Sequence, residues 1–291
     1  MKKVLITGAG SFVGMSIEQW LMQEPHEFQV DTVDTMNDAW KNADFTKYDA
    51  VFHVAGIAHV DPKPEMAPLY YKVNRDLAID VARHAKECGV NQFIYMSSRI
   101  VYKVSRSLKG DVTTPETRPN PNDFYGDSKL QAENGLHELE SDSFNVVILR
   151  PPMIYGPGNK GNMPRLAWLA TKTPVFPAWH NKRSMIHVVN LAEFVKQVIQ
   201  RGMSGTFFPQ NAELADTVDI IRSVAKEKGH RIWITRLLNP LVWVGSFFLP
   251  AIPKMFSDSY YIPEMSKYDF DYQMVSFEES IKGMETRKTM R

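Results

Sequence analysis

Residues 7–14 decide the fold, and their sequence is Thr7-Gly8-Ala9-Gly10-Ser11-Phe12-Val13-Gly14. This glycine loop follows a short apolar run, Val4–Ile6, and precedes an amphipathic stretch near Phe12–Leu21. Gly8 and Gly10 allow a tight turn, and Gly14 allows a helix to pack closely on the strand. A pyrophosphate can bind there to backbone N–H groups at the positive end of the helix dipole. The loop therefore predicts a dinucleotide-binding strand–turn–helix unit.

Short apolar runs alternate with helix-like segments along the first half of the chain. Each run is bounded by Gly, Pro, Asn or Asp, and the predicted strands are Val4–Ile6, Phe28–Val33, Ala50–Val54, Phe93–Met96 and Val146–Leu149. Longer segments with helical periodicity cover roughly residues 69–87 and 124–139. Strands that alternate with helices imply βαβ units and a parallel sheet. The predicted fold class is α/β, a Rossmann-type doubly wound parallel sheet with a smaller, mostly C-terminal substrate domain.

An acidic residue stands at the end of the second predicted strand. Asp34 lies twenty residues beyond Gly14, where a carboxylate can accept hydrogen bonds from the adenosine ribose hydroxyls. The same carboxylate would repel a 2′-phosphate, and neither residues 8–15 nor residues 31–40 contain Arg or Lys. We therefore expect the cofactor to be NAD rather than NADP. Asp31 is the competing candidate, and it is otherwise an outward-facing strand residue.

The composition of the chain changes at about Pro151, where Pro, Gly and aromatic residues become denser. We expect residues 1–155 to form an NAD-binding Rossmann domain, to which residues 185–205 return. Residues 156–184 and 206–291 are then expected to form the substrate-binding region.

A tyrosine, a lysine and a serine are the candidate catalytic residues. Tyr125 and Lys129 are four residues apart at the start of a predicted helix, so they share one helix face. The loop before them is rich in Pro and Asn, so this helix begins at the carboxyl edge of the sheet, where doubly wound folds bind ligands. Ser98 lies just beyond the fourth strand, on the same edge. A surface Tyr–Lys pair is the alternative, and the position at the sheet edge argues against it.

The chemistry of a phenol base explains why a lysine is needed. Shifting a pKa from ~10 to near neutrality costs about 4–5 kcal/mol. One ammonium ~4 Å away supplies roughly 4 kcal/mol, and the positive nicotinamide of bound NAD adds to it. Lys129 is therefore expected to lower the pKa of Tyr125. Ser98 would hydrogen-bond the substrate oxygen while the cofactor exchanges a hydride with the attached carbon.

Composition excludes several other functions. The 34 basic and 33 acidic residues leave a net charge of +1, so no global field recruits nucleic acid. The single cysteine, Cys88, excludes an internal disulfide and favours a reducing, cytoplasmic setting. The eight histidines are scattered without paired spacing, and we expect no metal site.

The most hydrophobic stretch of the chain is Leu237–Ile252. It is interrupted by Asn239, Pro240, Gly245 and Pro250, and it is shorter than the ~18–20 residues of a membrane span. We expect buried helices of the substrate domain here, in preference to a segment that contacts a membrane surface or a partner.

Several motifs extend these observations over residues 2–200. They are Asp44-Phe45, Val51-Phe52-His53-Val54-Ala55-Gly56, Tyr71-Lys72-Val73-Asn74, Ser97-Ser98-Arg99-Ile100-Val101-Tyr102, Tyr125-Gly126-Asp127-Ser128-Lys129, Leu149-Arg150-Pro151-Pro152-Met153-Ile154-Tyr155-Gly156-Pro157-Gly158 and Arg183-Ser184-Met185-Ile186-His187-Val188. With these motifs, the chain resembles the extended short-chain dehydrogenase/reductases, specifically the NAD-dependent epimerase/dehydratase family. Members of that family act mostly on sugars carried by a nucleoside diphosphate.

The resemblance implies a set of binding residues. The expected cofactor contacts are Gly8, Gly10, Ser11, Phe12, Val13, Gly14, Asp34, Asp44, Phe45, Val54, Ala55, Gly56, Asn74, Tyr125, Lys129 and Pro152. Asp44 and Phe45 occupy the loop that usually lies by the adenine. Arg183 would pair with the substrate diphosphate, Asn162 would help to hold it, and Ser98 and Arg99 complete the expected substrate contacts. The resemblance also implies a homodimer built from the helix that carries Tyr125 and a neighbouring helix.

Two departures from the family pattern narrow the reaction. Arg99-Ile100 stand where dehydratases of the family have Asp-Glu, which argues against 4,6-dehydration. Met153 stands where galactose-type 4-epimerases have Asn, and residues 150–158 and 181–184 are more similar to a bacterial polysaccharide-pathway branch. We expect an NAD-dependent 4-epimerase of a nucleoside-diphosphate sugar, a UDP-sugar above all. The alternatives are an NAD(P)H-dependent reductase of a 4-keto-6-deoxy nucleotide sugar and, in another class, a non-catalytic dinucleotide-sensing module.

Overall fold

The computed structural model describes residues 1–58, 63–159 and 162–282 of the chain. Its strands are β1 (Lys2–Thr7), β2 (Phe28–Val33), β3 (Ala50–His53), β4 (Gln92–Met96), β5 (Asp111–Thr113), β6 (Asn145–Leu149), β7 (Met153–Tyr155), β8 (Val175–Pro177), β9 (Met185–His187), β10 (Gly205–Phe207), β11 (Trp233–Thr235) and β12 (Ser259–Tyr261). Its α-helices are α1 (Phe12–Leu21), α2 (Ala67–Tyr70), α3 (Leu77–Glu87), α4 (Phe124–His137), α5 (Asn162–Lys172), α6 (Val188–Arg201), α7 (Thr217–Glu227), α8 (Asn239–Gly245), α9 (Ala251–Phe256) and α10 (Phe277–Lys282).

Six parallel strands form the main sheet, in the order β2-β1-β3-β4-β6-β10. The other strands form three two-stranded parallel sheets, β8 with β11, β5 with β12 and β7 with β9. The predicted α/β fold with a doubly wound parallel sheet is therefore confirmed, and so are the five predicted strands.

The main sheet is covered on both faces, which is why its strands are continuous apolar runs. Alternate residues of each strand enter different cores, as Leu5 and Ile6 of β1 do. On one face, α1 and α6 pack over the sheet around Phe194, which contacts four aromatic rings. On the other face, α3 and α4 cover Phe93 and Tyr95. Because both faces are closed, ligands can approach only at the edge where the strands end.

A third core lies outside the sheet and holds the small C-terminal elements together. It includes residues from α5, α7 and α9, among them Leu166, Ile221 and Phe256. In contrast, α6 packs against α1, and β10 extends the main sheet beside β6. We propose on this basis that residues 156–184 and 206–291 carry the substrate, as the sequence predicts, except that β10 and the aromatic residues 268–272 pack with the main sheet.

The segment predicted as a helix at residues 69–87 contains an irregular turn. α2 continues into a π-helical stretch, Tyr71–Asp76, and then into α3. A π turn widens the backbone ladder, and such turns are frequent at functional sites. Here it leaves the Asn74 carbonyl to accept a hydrogen bond of 2.8 Å from the Tyr95 hydroxyl. The π turn thus ties this helix to strand β4.

The structure corrects the prediction for residues 237–252. This segment forms a 3₁₀ turn at Arg236–Leu238, helix α8 and the start of α9, but most of its large apolar side chains are exposed rather than buried. Val242 packs into the third core, whereas Leu237 and Phe248 are 76% and 77% exposed. The prediction failed because an apolar pattern does not reveal whether protein covers it. In the part of the chain that the structure describes, no helix is long and apolar enough to cross a membrane.

Candidate functional site

The glycine loop is held tightly against the strand beside it. Gly8 has a φ of 87°, and a Cβ at this position would lie 2.7 Å from the backbone nitrogen of Ala55. Ser11 caps helix α1, since its Oγ accepts a hydrogen bond from the Gly14 nitrogen at 3.1 Å. A Cβ on Gly14 would lie 2.7 Å from that oxygen. The backbone can therefore approach a ligand at the N-terminus of α1, while Phe12 and Val13 begin the helix.

The two candidate acids near strand β2 have different surroundings. Asp34 follows the strand, is exposed and accepts a hydrogen bond from the Met36 nitrogen at 2.9 Å. Asp31 accepts a hydrogen bond from the Tyr48 hydroxyl and lies 3.6 Å from the Lys47 ammonium. Asp31 is thus occupied by packing partners, whereas the Asp34 carboxylate faces solvent beside the glycine loop.

The side chain of Phe45 in the Asp44-Phe45 pair is not available to a ligand. Phe45 is fully buried and stacks edge-on against His84, so its backbone alone is available to an adenine. The Asp44 carboxylate accepts hydrogen bonds from the hydroxyl and the nitrogen of Thr46, which lower its pKa.

The loop before α4 brings Tyr125 to Ser98. Asp123 caps the helix by accepting a hydrogen bond from the Gly126 nitrogen at 2.8 Å. A Cβ on Gly126 would lie 2.5 Å from the carbonyl oxygen of Ile100, so only glycine lets the helix start this close to the turn after β4. Ser98 begins that turn, and its side chain lies near enough to the Tyr125 phenol to lower the pKa of that group. The predicted serine and tyrosine therefore meet at the carboxyl edge of the sheet.

Lys129 is buried beneath the loop that follows β3. Its ammonium donates a hydrogen bond of 2.9 Å to the Met96 carbonyl and lies 4.7 Å from the centre of the Tyr95 ring. A Cβ on Gly56 would lie 3.3 Å from this nitrogen and 3.0 Å from Oδ1 of Asn74. Glycine at position 56 thus keeps open the space above the ammonium.

Asn74 joins the elements around Lys129. Its Oδ1 accepts a hydrogen bond from the Ile57 nitrogen at 2.8 Å, and its Nδ2 donates to the Ile57 carbonyl and to Ser128 Oγ. The side chain is fully buried. Asn74 therefore fixes the loop after β3 to helix α4 rather than extending toward solvent.

The pKa values of the pair differ from the predicted pattern. Burial raises the pKa of Tyr125 to about 12, nearby Tyr70 adds to the rise, and the Ser98 side chain opposes it. Burial lowers the pKa of Lys129 to about 8, and the charge of Glu133 opposes that shift. The sequence predicts that Lys129 lowers the pKa of Tyr125. In this structure the charge of Lys129 is not among the causes of the Tyr125 shift, because the ammonium is held at the Met96 carbonyl.

A buried ion pair supports this region, and the sequence analysis missed it. Glu133 and Arg150 are joined by three hydrogen bonds of 2.5–3.2 Å, and Glu133 is 1% exposed. The Ser97 hydroxyl also donates to Glu133, and Arg150 donates to the Tyr102 hydroxyl at 2.8 Å. Glu133 lies one helical turn beyond Lys129, and that spacing was the signal that could have identified it.

The two predicted substrate arginines lie near each other, and each is held by its own hydrogen-bond partners. Arg99 is buried and donates to Ser259 Oγ, Thr113 Oγ1 and the Asp111 carbonyl. Arg183 donates to the carbonyls of Lys254 and Met255 at the C-terminal end of α9.

Two further predicted binding residues, Asn162 and Pro152, lie in different elements. Asn162 begins α5, and its side chain lies outside the described part of the chain. Pro152 is buried between β6 and β7. In the ranges 1–58, 63–159 and 162–282, no group of three or more His, Cys, Asp or Glu side chains could hold a metal ion.

The low pKa of Lys129 predicts a pH-dependent stability. The ordinary pKa of a lysine is 10.5, so the unfolded chain holds the ammonium proton of Lys129 more strongly than the folded chain does. Burial of the charge therefore destabilises the fold below about pH 8, and the cost disappears as the pH rises to about 10.5. Relative to Lys129→Met, the wild type should gain up to about 3 kcal/mol of unfolding free energy over this interval.

Urea denaturation of both proteins at closely spaced pH values measures this gain. Lys172→Met removes an exposed lysine at the end of α5 and serves as the control, for which the difference from wild type should stay constant. A constant difference for Lys129→Met as well would contradict the low pKa.

Comparison with known proteins identifies the family. The sequence profile described as "NAD dependent epimerase/dehydratase family" matches residues 4–208. A UDP-glucose 4-epimerase of Vibrio cholerae is 30% identical in an alignment of 247 positions that covers 77% of this chain and 75% of the relative. An Escherichia coli O157:H7 protein, N-acetyl-alpha-D-glucosaminyl-diphospho-ditrans,octacis-undecaprenol 4-epimerase, is 26% identical over 88% of this chain and 82% of its own.

A solved structure matches nearly the whole fold. The UDP-glucose 4-epimerase of Thermus thermophilus in complex with NAD superposes with a TM-score of 0.74 at 19% identity, over 97% of each chain. At that identity the likeness establishes the fold alone. The profile match and the Vibrio relative establish membership, and the chain is an enzyme of the NAD-dependent epimerase/dehydratase family.

Proposed function

We propose that this enzyme uses NAD to exchange a hydride reversibly with C4 of a nucleoside-diphosphate sugar, and that it acts as a 4-epimerase. The observation that carries the proposal is the placement of Ser98 and Tyr125 together at the carboxyl edge of the sheet, with Lys129 one turn further along α4 and bonded to Met96 at the end of β4. Two proteins that are similar to this chain in sequence are named as 4-epimerases of sugars joined to a diphosphate, and this supports the choice of C4.

The residues around the glycine loop fit an NAD molecule. The loop offers backbone nitrogens at the start of α1, and the close approach of Gly8 to Ala55 leaves no side chain between them. The exposed Asp34 carboxylate is suited to the adenosine ribose hydroxyls, and residues 31–40 contain no cation for a 2′-phosphate. When bound, NAD supplies a hydride acceptor for the sugar carbon.

Tyr125 is the proposed proton-transfer group. It takes a proton from the C4 hydroxyl during oxidation and returns one during reduction, while Ser98 holds the sugar oxygen by a hydrogen bond. Because burial raises the pKa of Tyr125 to about 12, a cation must approach the phenol before it can act as a base near neutrality. Lys129 is the nearest candidate, since it follows Tyr125 by one turn of α4 and is held by a single hydrogen bond to Met96.

Two arginines support the proposed binding of a diphosphate. The charge of Arg99 lowers the pKa of Arg183, after the larger effect of burial, so the two guanidinium groups lie close enough to repel each other. Nε of Arg99 is buried and has no hydrogen-bond partner among the described residues. An anion that bound beside both groups would relieve this repulsion, and a planar guanidinium is well suited to a phosphate.

Product analysis distinguishes the epimerase from the 4-keto reductase. Purified enzyme with NAD and a UDP-hexose or UDP-N-acetylhexosamine should form the C4 epimer without net accumulation or consumption of NADH, because the same hydride returns to the opposite face. Stoichiometric NADH oxidation on a 4-keto UDP-sugar, with no C4 epimer formed, would establish the reductase instead.

Tyr125→Phe provides the matched control for that assay. It removes one hydroxyl and should lower turnover by about 10²–10⁴, the usual contribution of a positioned proton-transfer group, with little change in NAD affinity. Tyr70→Phe removes the neighbouring hydroxyl, whose ring lies 5.7 Å from that of Tyr125, and should retain most of the turnover. Near-normal turnover in Tyr125→Phe would exclude the tyrosine from the mechanism.

The choice of cofactor can be measured directly. NAD(H) should bind at least about tenfold more tightly than NADP(H), a difference of ~1.4 kcal/mol, because Asp34 repels a 2′-phosphate. Asp34→Ala should narrow that gap in calorimetric titrations. Asp80→Ala, which removes an exposed acid on α3, should leave it unchanged. Equal affinities of the wild type for both cofactors would contradict the assigned role of Asp34.

A further inference from the structure

The exposed apolar segment at residues 237–249 has no partner within the described chain that covers it. Its outward side chains are large and apolar, and they are Leu237, Leu241, Trp243, Val244, Phe247, Phe248 and Leu249. A helix that is apolar all round is normally buried, and large contiguous apolar patches mark interaction sites. We name this surface the apolar ridge.

The apolar ridge is anchored to the protein by its inner side. Val242 is buried in the third core, and Phe256 of α9 packs 5.6 Å from the ring of Phe176. The outer side is therefore a fixed surface and not a loose strand of chain. Trp243 and Phe247 lie one helical turn apart and form an edge-to-face pair at 5.2 Å, although both are more than half exposed.

The two polar side chains of the ridge donate hydrogen bonds within this chain. Asn239 donates a hydrogen bond of 3.1 Å to the Ala178 carbonyl, and Ser246 donates one of 2.7 Å to the Trp243 carbonyl. Both donors are therefore satisfied within this chain, whereas Oδ1 of Asn239 is buried and has no partner among the described residues. The outer surface offers apolar and aromatic groups, which suit a hydrocarbon environment better than a specific hydrogen-bonding one.

The segment that carries the ridge, residues 228–257, has charges of one sign, and the acids Glu227 and Asp258 flank it. Residues 228–257 contain Lys228, Arg231, Arg236 and Lys254 but no Asp or Glu, in a chain whose total charges nearly cancel. The side chains of Arg231, Arg236 and Lys254 are all exposed. Aromatic and apolar side chains with a basic rim are the features by which a protein binds an anionic lipid surface without spanning it.

We propose that the apolar ridge docks this enzyme on the surface of an anionic lipid bilayer. Trp243, Phe247 and Phe248 enter the boundary between headgroups and acyl chains, and the basic residues of the rim lie at the phosphate level. A second copy of the chain is the competing occupant. Docking two ridges face to face would bring together surfaces that carry only positive charge, which opposes that arrangement.

Docking would also orient the candidate site. Arg183, the proposed diphosphate ligand, donates its hydrogen bonds to the carbonyls of Lys254 and Met255, which follow the ridge at the end of α9. Arg183 is therefore bonded to the helix that directly follows the ridge. The docking proposal itself rests on the ridge and not on the proposed reaction.

Vesicle sedimentation tests the proposal with the full chain. Vesicles of phosphatidylglycerol and phosphatidylcholine should bind the protein, and vesicles of phosphatidylcholine alone should bind it at least about tenfold more weakly. The double variant Arg231→Gln, Arg236→Gln should reduce binding to anionic vesicles by about tenfold or more, since each basic residue near such a surface contributes about fivefold. Phe247→Glu with Phe248→Glu should abolish it.

Two controls keep the test decisive. Met22→Glu introduces a charge at an exposed apolar residue after α1 and should bind vesicles like the wild type. Trp243→Phe is a conservative change and should retain binding. Vesicles should shift the tryptophan emission of the wild type to shorter wavelength, and this variant should lose the contribution of Trp243 to that shift. If the wild type bound neither the anionic nor the neutral vesicles, the proposal would be overturned. A dimer, measured by light scattering, that the Phe247→Glu, Phe248→Glu variant converts to a monomer would also overturn it.

Discussion

The buried ammonium of Lys129 is the constraint on which the site depends. A charge removed from water must be compensated, and here the Met96 carbonyl, the Tyr95 ring and the charge of Glu133 provide the compensation. Glu133 is itself buried and needs Arg150 as its partner. The strand β4, the helix α4 and the strand β6 are therefore joined around one cation. The helix carries residues of the proposed site, and each of the two strands is followed by one.

The second requirement is that neighbouring backbone segments approach each other closely. Glycines make this possible at the tightest contacts. Gly8 meets the backbone of Ala55, Gly126 meets the carbonyl of Ile100, and Gly56 lies over Lys129 and Asn74. A side chain at Gly8 or Gly126 would force the backbone apart by a substantial fraction of an ångström. The glycine loop, the turn after β4 and the start of α4 thus converge at one edge of the sheet because these residues lack a Cβ.

The sequence was sufficient for the fold and for the meeting of Ser98 with Tyr125. Strands buried on both faces leave continuous apolar runs, and parallel strands place the residues after them at a common edge. The pairing of Glu133 with Arg150 was not predicted, because the contact spans two elements that no local period relates. The π turn at Tyr71–Asp76 has no hydrophobic pattern of its own. The exposure of residues 237–249 escaped prediction since hydropathy is the same whether protein, lipid or water covers a residue.

We expect Tyr125 to become a base only when a cation reaches its hydroxyl. Ultraviolet difference titration of the wild type against Tyr125→Phe isolates the absorbance of the Tyr125 phenolate and measures its pKa directly. Without NAD, this pKa should be about 12, and saturating NAD should move it toward neutrality in the wild type but much less in Lys129→Met. A pKa that NAD leaves unchanged, or that shifts equally in the absence of Lys129, would contradict the account.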